Sequence, residues 1–243
     1  MHRFMIAPGA SVGDVIALND AESHHALRVL RLTEGAQIEL SDGQGRLFGA
    51  QIISIDDGVH AKLTAELAGA EPPVQLTLYQ GLPKFDKLEL ICQKATELGA
   101  CRIVPVKTAR TVVKLDDKDG LKRRDRMQKI CAEAAKQCGR AAVPEVVAPV
   151  TFAAALEMMY TESLMIMPWE EARGLNMTRL HSEHPNAPSI GIFIGPEGGI
   201  SSEECEQLKA LGAISVTLGK RILRTETAGL CALSVIWASL GEM

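Results

Sequence analysis

The chain has 243 residues, 47% hydrophobic and 23% charged, which excludes global disorder and leaves room for one large domain or two modest ones. Aromatics are only 4%, so the core must be aliphatic, built from Leu, Ile, Val, Ala and nine Met. The net charge of −4 argues against a generally basic nucleic-acid binder.

Charge is unevenly spread. Residues 76–150 hold 15 basic against 9 acidic side chains, between two acidic flanks. Such a middle is either a local polyanion patch or a solvated lysine-rich helix face. No two of the six cysteines are spaced C-x-x-C, so no zinc or thioredoxin motif is present. The segment Met1 to Pro8 lacks the apolar stretch of a secretory signal, and no 18-residue apolar run occurs. Reduced thiols, a cytoplasmic location and no membrane span are the expectation.

In chain order, Asp20 to Leu30 fits a short helix with Ala26, Leu27 and Leu30 on one face. Ala36–Leu40, Leu47–Ile55 and Val59–Leu67 read as strands, separated by turns at Ser41–Gly45 and Asp56–Gly58. These predict a small barrel-like β-domain over residues 1–70. Ala68 to Pro73 is the clearest linker, because Pro72-Pro73 continues neither sheet nor helix.

From residue 74 to 243 strands and helices alternate. Gln75–Gln80 predicts a strand, Phe85 to Leu98 a helix closed by Gly99, and Cys101–Val106 a strand. Lys122 to Cys138 predicts a helix with an apolar stripe at Met127, Ile130, Cys131, Ala134, Ala135 and Cys138. Arg126, Lys129, Glu133, Lys136 and Arg140 are expected on its other side. Further strands are expected at Pro144–Val147, Leu164–Met167, Ile190–Ile194 and Ile214–Leu218. Further helices are expected at Phe152–Tyr160, Ser202–Leu211 and Thr225–Leu240. Alternation with apolar strands means a mostly parallel α/β sheet.

Two loops carry the chemistry. The strand Ile192-Phe193-Ile194 runs into Gly195-Pro196-Glu197-Gly198-Gly199, and Ser201 with Glu204 then fits a capping box. Glycines at the carboxyl end of such a strand let backbone amides approach a ligand. The next strand ends in Leu218-Gly219-Lys220-Arg221-Ile222-Leu223-Arg224-Thr225-Glu226-Thr227, ahead of a helix that is apolar nearly all round and therefore buried. Two polar strand-end loops in succession favour one shared site. Phosphate-loop, dinucleotide, nucleophile-elbow and zincin motifs are absent from the sequence. His181-x-x-His184 has the spacing of a metal pair but reads as a surface loop, and no metal is expected.

Together, Gly195–Gly199 and Leu218-Gly219-x-x-Ile222-Leu223-Arg224-Thr225-Glu226-Thr227-Ala228 resemble the RsmE family of 16S ribosomal RNA methyltransferases, in the SPOUT superfamily. The resemblance extends over the chain. It includes Arg3-Phe4, His24-His25-x-x-Arg28-Val29-Leu30-Arg31, Gly81-Leu82-Pro83-Lys84, Lys94-Ala95-Thr96-Glu97-Leu98-Gly99 and Gln137-Cys138-Gly139-Arg140. It implies an N-terminal PUA-like RNA-binding barrel and a C-terminal α/β domain with a deep trefoil knot that pairs into a homodimer. The implied reaction is methyl transfer from S-adenosylmethionine to N3 of a uridine in the decoding region of 16S rRNA, with the rRNA expected within the assembled small ribosomal subunit. Methylation at a ribose 2′-OH or another base, and a non-catalytic assembly factor, are the competing readings.

On this resemblance the cofactor would sit among three loops: Met167-Pro168, Gly195-Pro196-Glu197-Gly198-Gly199, and Leu218-Gly219 with Ile222-Leu223-Arg224-Thr225. Uridine N3–H is a weak acid, so the reaction needs a proton acceptor or a cation that stabilises the ring anion. Arg224 is the candidate cation, and Glu197 and Glu97 are the candidate acceptors. For RNA phosphates the candidates are Arg123, Arg124, Arg126 and Arg140 in the basic middle, with Arg3, Arg28 and Arg31 in the small domain.

Overall fold

The computed structural model describes residues 1–69, 71–84, 87–113, 116–172, 177, 180–184 and 187–242, with the side chains of all but 117, 181 and 182. The chain divides into two compact units, residues 1–71 with 135–143, and residues 72–134 with 144–243.

The first unit contains β1 (Arg3–Met5), β2 (Val15–Ala17), α1 (Asp20–His24), a π-helical turn (His25–Val29), β3 (Gln37–Ser41), β4 (Leu47–Ser54) and β5 (His60–Leu67). Its sheet runs β1-β3-β4-β5-β2, antiparallel except for the parallel pair β1 and β3. Alternation drives the burial: Ile38 and Leu40 of β3, Phe48, Ala50 and Ile52 of β4, and Ala61 and Leu63 of β5 face the core with Phe4. The helix expected over Asp20–Leu30 starts at the cap Asn19, whose Oδ1 accepts the Glu22 N–H at 2.9 Å, and changes to π geometry at His25.

Residues 135–143, which the sequence groups with the α/β region, pack within this first unit. Glu71 binds the Arg140 guanidinium at 2.7 Å and accepts the Ala141 and Ala142 N–H groups at 2.9 Å each. The Ser41 hydroxyl donates to the Ala141 carbonyl at 2.6 Å, and Lys136 pairs with Glu22.

The second unit continues with β6 (Gln75–Gly81), α2 (Lys87–Glu97), β7 (Arg102–Lys107), α3 (Asp117–Cys138), β8 (Glu145–Val146) and β9 (Val150–Thr151). There follow α4 (Phe152–Met159), β10 (Leu164–Pro168), α5 (Leu180–Glu183), β11 (Ser189–Ile194), α6 (Ser202–Ala210), β12 (Ile214–Val216) and α7 (Thr225–Leu240). The last turn of α3 is the part that belongs to the first unit. Phe85, expected as the first apolar position of the second helix, lies outside the described residues.

All pairings in this sheet are parallel, in the order β12-β10-β11-β6-β7-β8, with β9 also on β7. Helices cover both faces of such a sheet, which is why β6 is buried at every position after Gln75. Helix α6 opens with the expected capping box: the Ser201 hydroxyl accepts the Glu204 N–H at 3.2 Å, and the Glu204 carboxylate accepts the Ser201 N–H at 3.1 Å. After edge strand β12 the chain turns back, and α7 packs on α2, β6 and β11 near the middle of the sheet. The Trp237 indole N–H donates to the Leu98 carbonyl at 2.5 Å, beside Gly99, whose φ of 80° ends α2.

Candidate functional site

Strand order reverses direction between β6 and β11. Crevices form at such a point, beyond the carboxyl ends of the strands. Here the loops after β10, β11 and β12 enclose a cavity of about 510 Å³. Its walls are Pro168, Trp169 and Glu170; Ile194 to Ile200; Thr217 to Gly219; and Arg221 to Thr225, with Lys87 and Ala228. A volume of several hundred Å³ with aliphatic walls and a few convergent charges suits a nucleoside-sized ligand.

Close backbone approach builds the floor. A Cβ added to Gly81, at the end of β6, would stand 2.6 Å from both N and Cδ of Pro196. One added to Gly195 would stand 2.9 Å from Ile200 Cγ1. Glycine is therefore required at both positions for the turn Gly195–Gly199 to lie where it does. Gly199 has a φ of 74°, which a side chain would strain.

A buried polar chain locks α7 to these strand ends. The Gln80 amide donates to the Thr225 hydroxyl at 2.8 Å and to the Gly81 carbonyl at 3.0 Å. The Thr225 hydroxyl donates onward to the Gly195 carbonyl at 2.6 Å. Among the described residues Gln80 Oε1 is left without a hydrogen bond. Turning the amide over would set that oxygen against two others, so the orphan, at a cost of ~1–3 kcal/mol, is the better arrangement.

Charge gathers at the cavity around Lys87, the first residue of α2. Its ammonium lies 3.1 Å from Glu197 Oε1 and 3.1 Å from Glu226 Oε2. Glu197 Oε1 also accepts the Lys84 N–H at 3.0 Å. Partial burial pushes the Glu197 carboxyl up. Its own N–H, the Lys84 N–H and the Lys87 ammonium outweigh that and hold it below the usual carboxylate range. Glu226 behaves alike: burial raises it, while its own N–H, Lys87 and Arg224 bring it down. The two carboxylates in turn raise Lys87, Glu226 more than Glu197.

A second strap holds the glycine turn from outside. The Arg110 guanidinium donates to the Gly198 carbonyl at 2.9 Å, and the Ala109 N–H donates to Glu204 at 2.7 Å. Buried Glu204 thus caps its own helix and anchors the loop after β7.

The expected cofactor residues come together. Pro168, Gly195, Pro196, Glu197, Gly198, Gly199, Leu218, Gly219, Ile222, Leu223, Arg224 and Thr225 all line the cavity, while Met167 is buried behind it. Arg224 is exposed at the start of α7, and its side chain makes no hydrogen bond or ion pair among the described residues. Glu97 is not brought in. It sits at the far end of α2 from Lys87, about 15 Å along the axis, and binds Lys94 at 2.8 Å.

Of the expected phosphate contacts, Arg28, Arg31 and Arg126 are exposed, and Arg123 and Arg124 are half-buried. Arg126 pairs with Glu89, and Arg124 with Asp125. Arg3 is bound to Glu39 at 2.6 Å and Arg140 is buried against Glu71, so both cations are spent inside the first unit. Among the described residues no group of three His, Cys, Asp or Glu side chains is placed to hold a metal, and no helix is long and apolar enough to cross a membrane. The His181 side chain of the spaced pair lies outside the described residues. Lys87, Gln80 and Arg110 are the site residues that sequence reasoning did not single out, and Glu226 was named only as part of its loop; no local pattern marks their partners.

Residues 70–237 match the RNA methyltransferase domain family, and residues 18–64 match the RNA methyltransferase PUA domain family. The chain is 38% identical over 226 residues to the ribosomal RNA small subunit methyltransferase E of Bacillus subtilis, covering 90% of this chain and 88% of that one. It is 33% identical over 240 residues to that of Synechocystis, covering 98% and 78%. The crystal structure of a ribosomal RNA small subunit methyltransferase E from Neisseria gonorrhoeae bound to S-adenosyl methionine superposes with a TM-score of 0.87 at 33% identity, covering 98% and 97% of the two chains.

Proposed function

The chain belongs to the ribosomal RNA small subunit methyltransferase E family, and from that membership we propose that it methylates N3 of one uridine in the decoding region of 16S rRNA. The observation that carries this reading is the cavity itself, framed by three strand-end loops at the sheet's reversal point, with the exposed Arg224 on its wall. Its residues fit S-adenosylmethionine. Leu218, Ile222 and Leu223 offer apolar surface to an adenine ring, the Gly195–Gly199 turn offers backbone close by, and Glu197 offers negative charge to a cation. When bound, the cofactor supplies an electrophilic methyl group.

The protein's part is to hold the two reactants and to make N3 nucleophilic. Arg224, always charged and exposed on the cavity wall, is assigned to the negative charge of the target nucleotide. Glu197 is already stabilised as an anion by Lys87 and Lys84, which makes it a weak proton acceptor and a strong anchor. N3 normally faces a pairing partner, so the uridine must enter unpaired or flipped out. Arg123, Arg124 and Arg126 of α3 and, in the first unit, Arg28 and Arg31 are the proposed phosphate contacts. A cytoplasmic homodimer acting on the assembled small subunit, with the knot that the family resemblance implies, completes the reading.

The test is labelled transfer. Purified protein is given methyl-labelled S-adenosylmethionine and small ribosomal subunits from cells lacking the enzyme, and the RNA is digested for nucleoside mass analysis. 3-Methyluridine is the expected product. Label at a ribose or another base would keep the family and remove the N3 assignment.

A further inference from the structure

We propose that Lys87 is a catalytic residue: its ammonium donates to a carbonyl oxygen of the target uracil and stabilises the ring anion formed when N3 loses its proton. This rests on the uridine-N3 reading above. Lys87 lines the cavity, and two carboxylates from two different loops fix its position, each at 3.1 Å. An ammonium has three N–H donors. Its two ion pairs, with Glu197 and Glu226, engage at most two of them, which leaves at least one for a ligand in the cavity that Lys87 lines.

A cation set on the wall of a cavity that must also admit a sulfonium would repel it unless compensated. Glu197 and Glu226 supply that compensation. Glu226 Oε2 is shut off from solvent and among the described residues has no hydrogen-bond partner, so its charge is matched chiefly by the ion pair with Lys87. Holding a lysine only to tie loops together would not require it to face the cavity. The same tie is already made without charge by Gln80, Thr225 and Gly195.

The step balances simply. The N3–H bond breaks, and its electron pair stays on the ring, spread over N3 and the two carbonyl oxygens. The proton passes to water. A fixed, partly desolvated donor at one of those oxygens lowers the cost of that anion without having to reorganise. Arg224, exposed at the start of α7, remains for the nucleotide's permanent charge.

The experiment compares wild type, Lys87→Met and Lys87→Arg in single-turnover methylation. The substrates are small subunits rebuilt with ordinary 16S rRNA or with rRNA containing 5-fluorouridine, whose N3–H is more acidic. Cofactor affinity is measured separately by calorimetry. Lys87→Met is expected to slow methylation of uridine on the order of 10²-fold while cofactor affinity changes by less than about tenfold. The deficit should shrink on 5-fluorouridine, because a more acidic ring needs less help, and Lys87→Arg should recover most of the rate. Lys87→Met/Glu226→Gln, which leaves no enclosed unpaired carboxylate, should show the same deficit if the single variant melts early. An equal deficit on both substrates, a rate loss matched by lost cofactor affinity, or an undiminished rate would overturn the proposal. Absence of 3-methyluridine from the wild type itself would instead overturn the reading on which it rests.

Discussion

At the scale of single residues, the protein uses its arginines in two ways. Arg3 and Arg140 are consumed in ion pairs with Glu39 and Glu71, whereas Arg224 makes no ion pair among the described residues and stays exposed on the cavity wall. Arg224→Ala should therefore lower methylation on the order of 10²-fold with little change in melting temperature, read by single-turnover assay and calorimetric scan. Full activity in that variant would remove its role. The Lys87 cluster also predicts a pH dependence of stability. Glu197 and Glu226 lie below their usual range when folded, so their contribution is present above that range and is lost as pH falls through their folded values. Lys87 is raised, so its share is present at neutral pH and lost only as pH climbs through its folded value. Denaturant midpoints measured from pH 7 to pH 3 should fall less steeply for Glu197→Gln/Glu226→Gln than for wild type. Equal slopes would show that the cluster is not linked to folding.

At the scale of elements, caps and close approaches position the site more than propensity does. Ser201→Ala removes one bond of the capping box and should cost ~1 kcal/mol in unfolding free energy. Gly81→Ala is different in kind. Its Cβ meets Pro196 backbone at 2.6 Å, so the glycine turn must shift, and cofactor affinity should drop before stability does. Calorimetric binding constants beside melting curves separate the two effects. These contrasts also show what was readable from the chain alone. The turns after β11 and β12 were legible because glycines follow an apolar strand there, and α7 because it is apolar on every side. Strands β1, β2 and β9 have three, three and two residues, too few to display a period of two. Lys87 and Glu226 are 139 positions apart in sequence, and Gln80 and Thr225 are 145 apart, so only the folded sheet makes them neighbours. Glu97 failed to reach the cavity for the converse reason: helical rise carries it away from Lys87 on the same element.

At the scale of the whole molecule, a net negative chain must still hold a polyanion. The basic face of α3 is the proposed place, and counterion release gives it a number. Replacing both Arg123 and Arg124 with Ala should reduce the slope of log K against log salt by about 0.7–0.9 for each phosphate that is no longer neutralised. Filter binding to small subunits across a salt series measures it, and an unchanged slope would move the patch elsewhere. The return of α7 from edge strand β12 to the middle of the sheet has a consequence for how the protein is made. Gln80, Gly81 and Lys87 are synthesised early, yet each waits on residues near 195–226 to acquire its role. Pairings across such separations are slow to form, because a long loop must close before any of them is rewarded. A growing chain that already holds β6, β7 and β11 has most of a sheet but only part of the cavity wall. Competence to bind a ligand therefore arrives late and all at once, when the final helix docks.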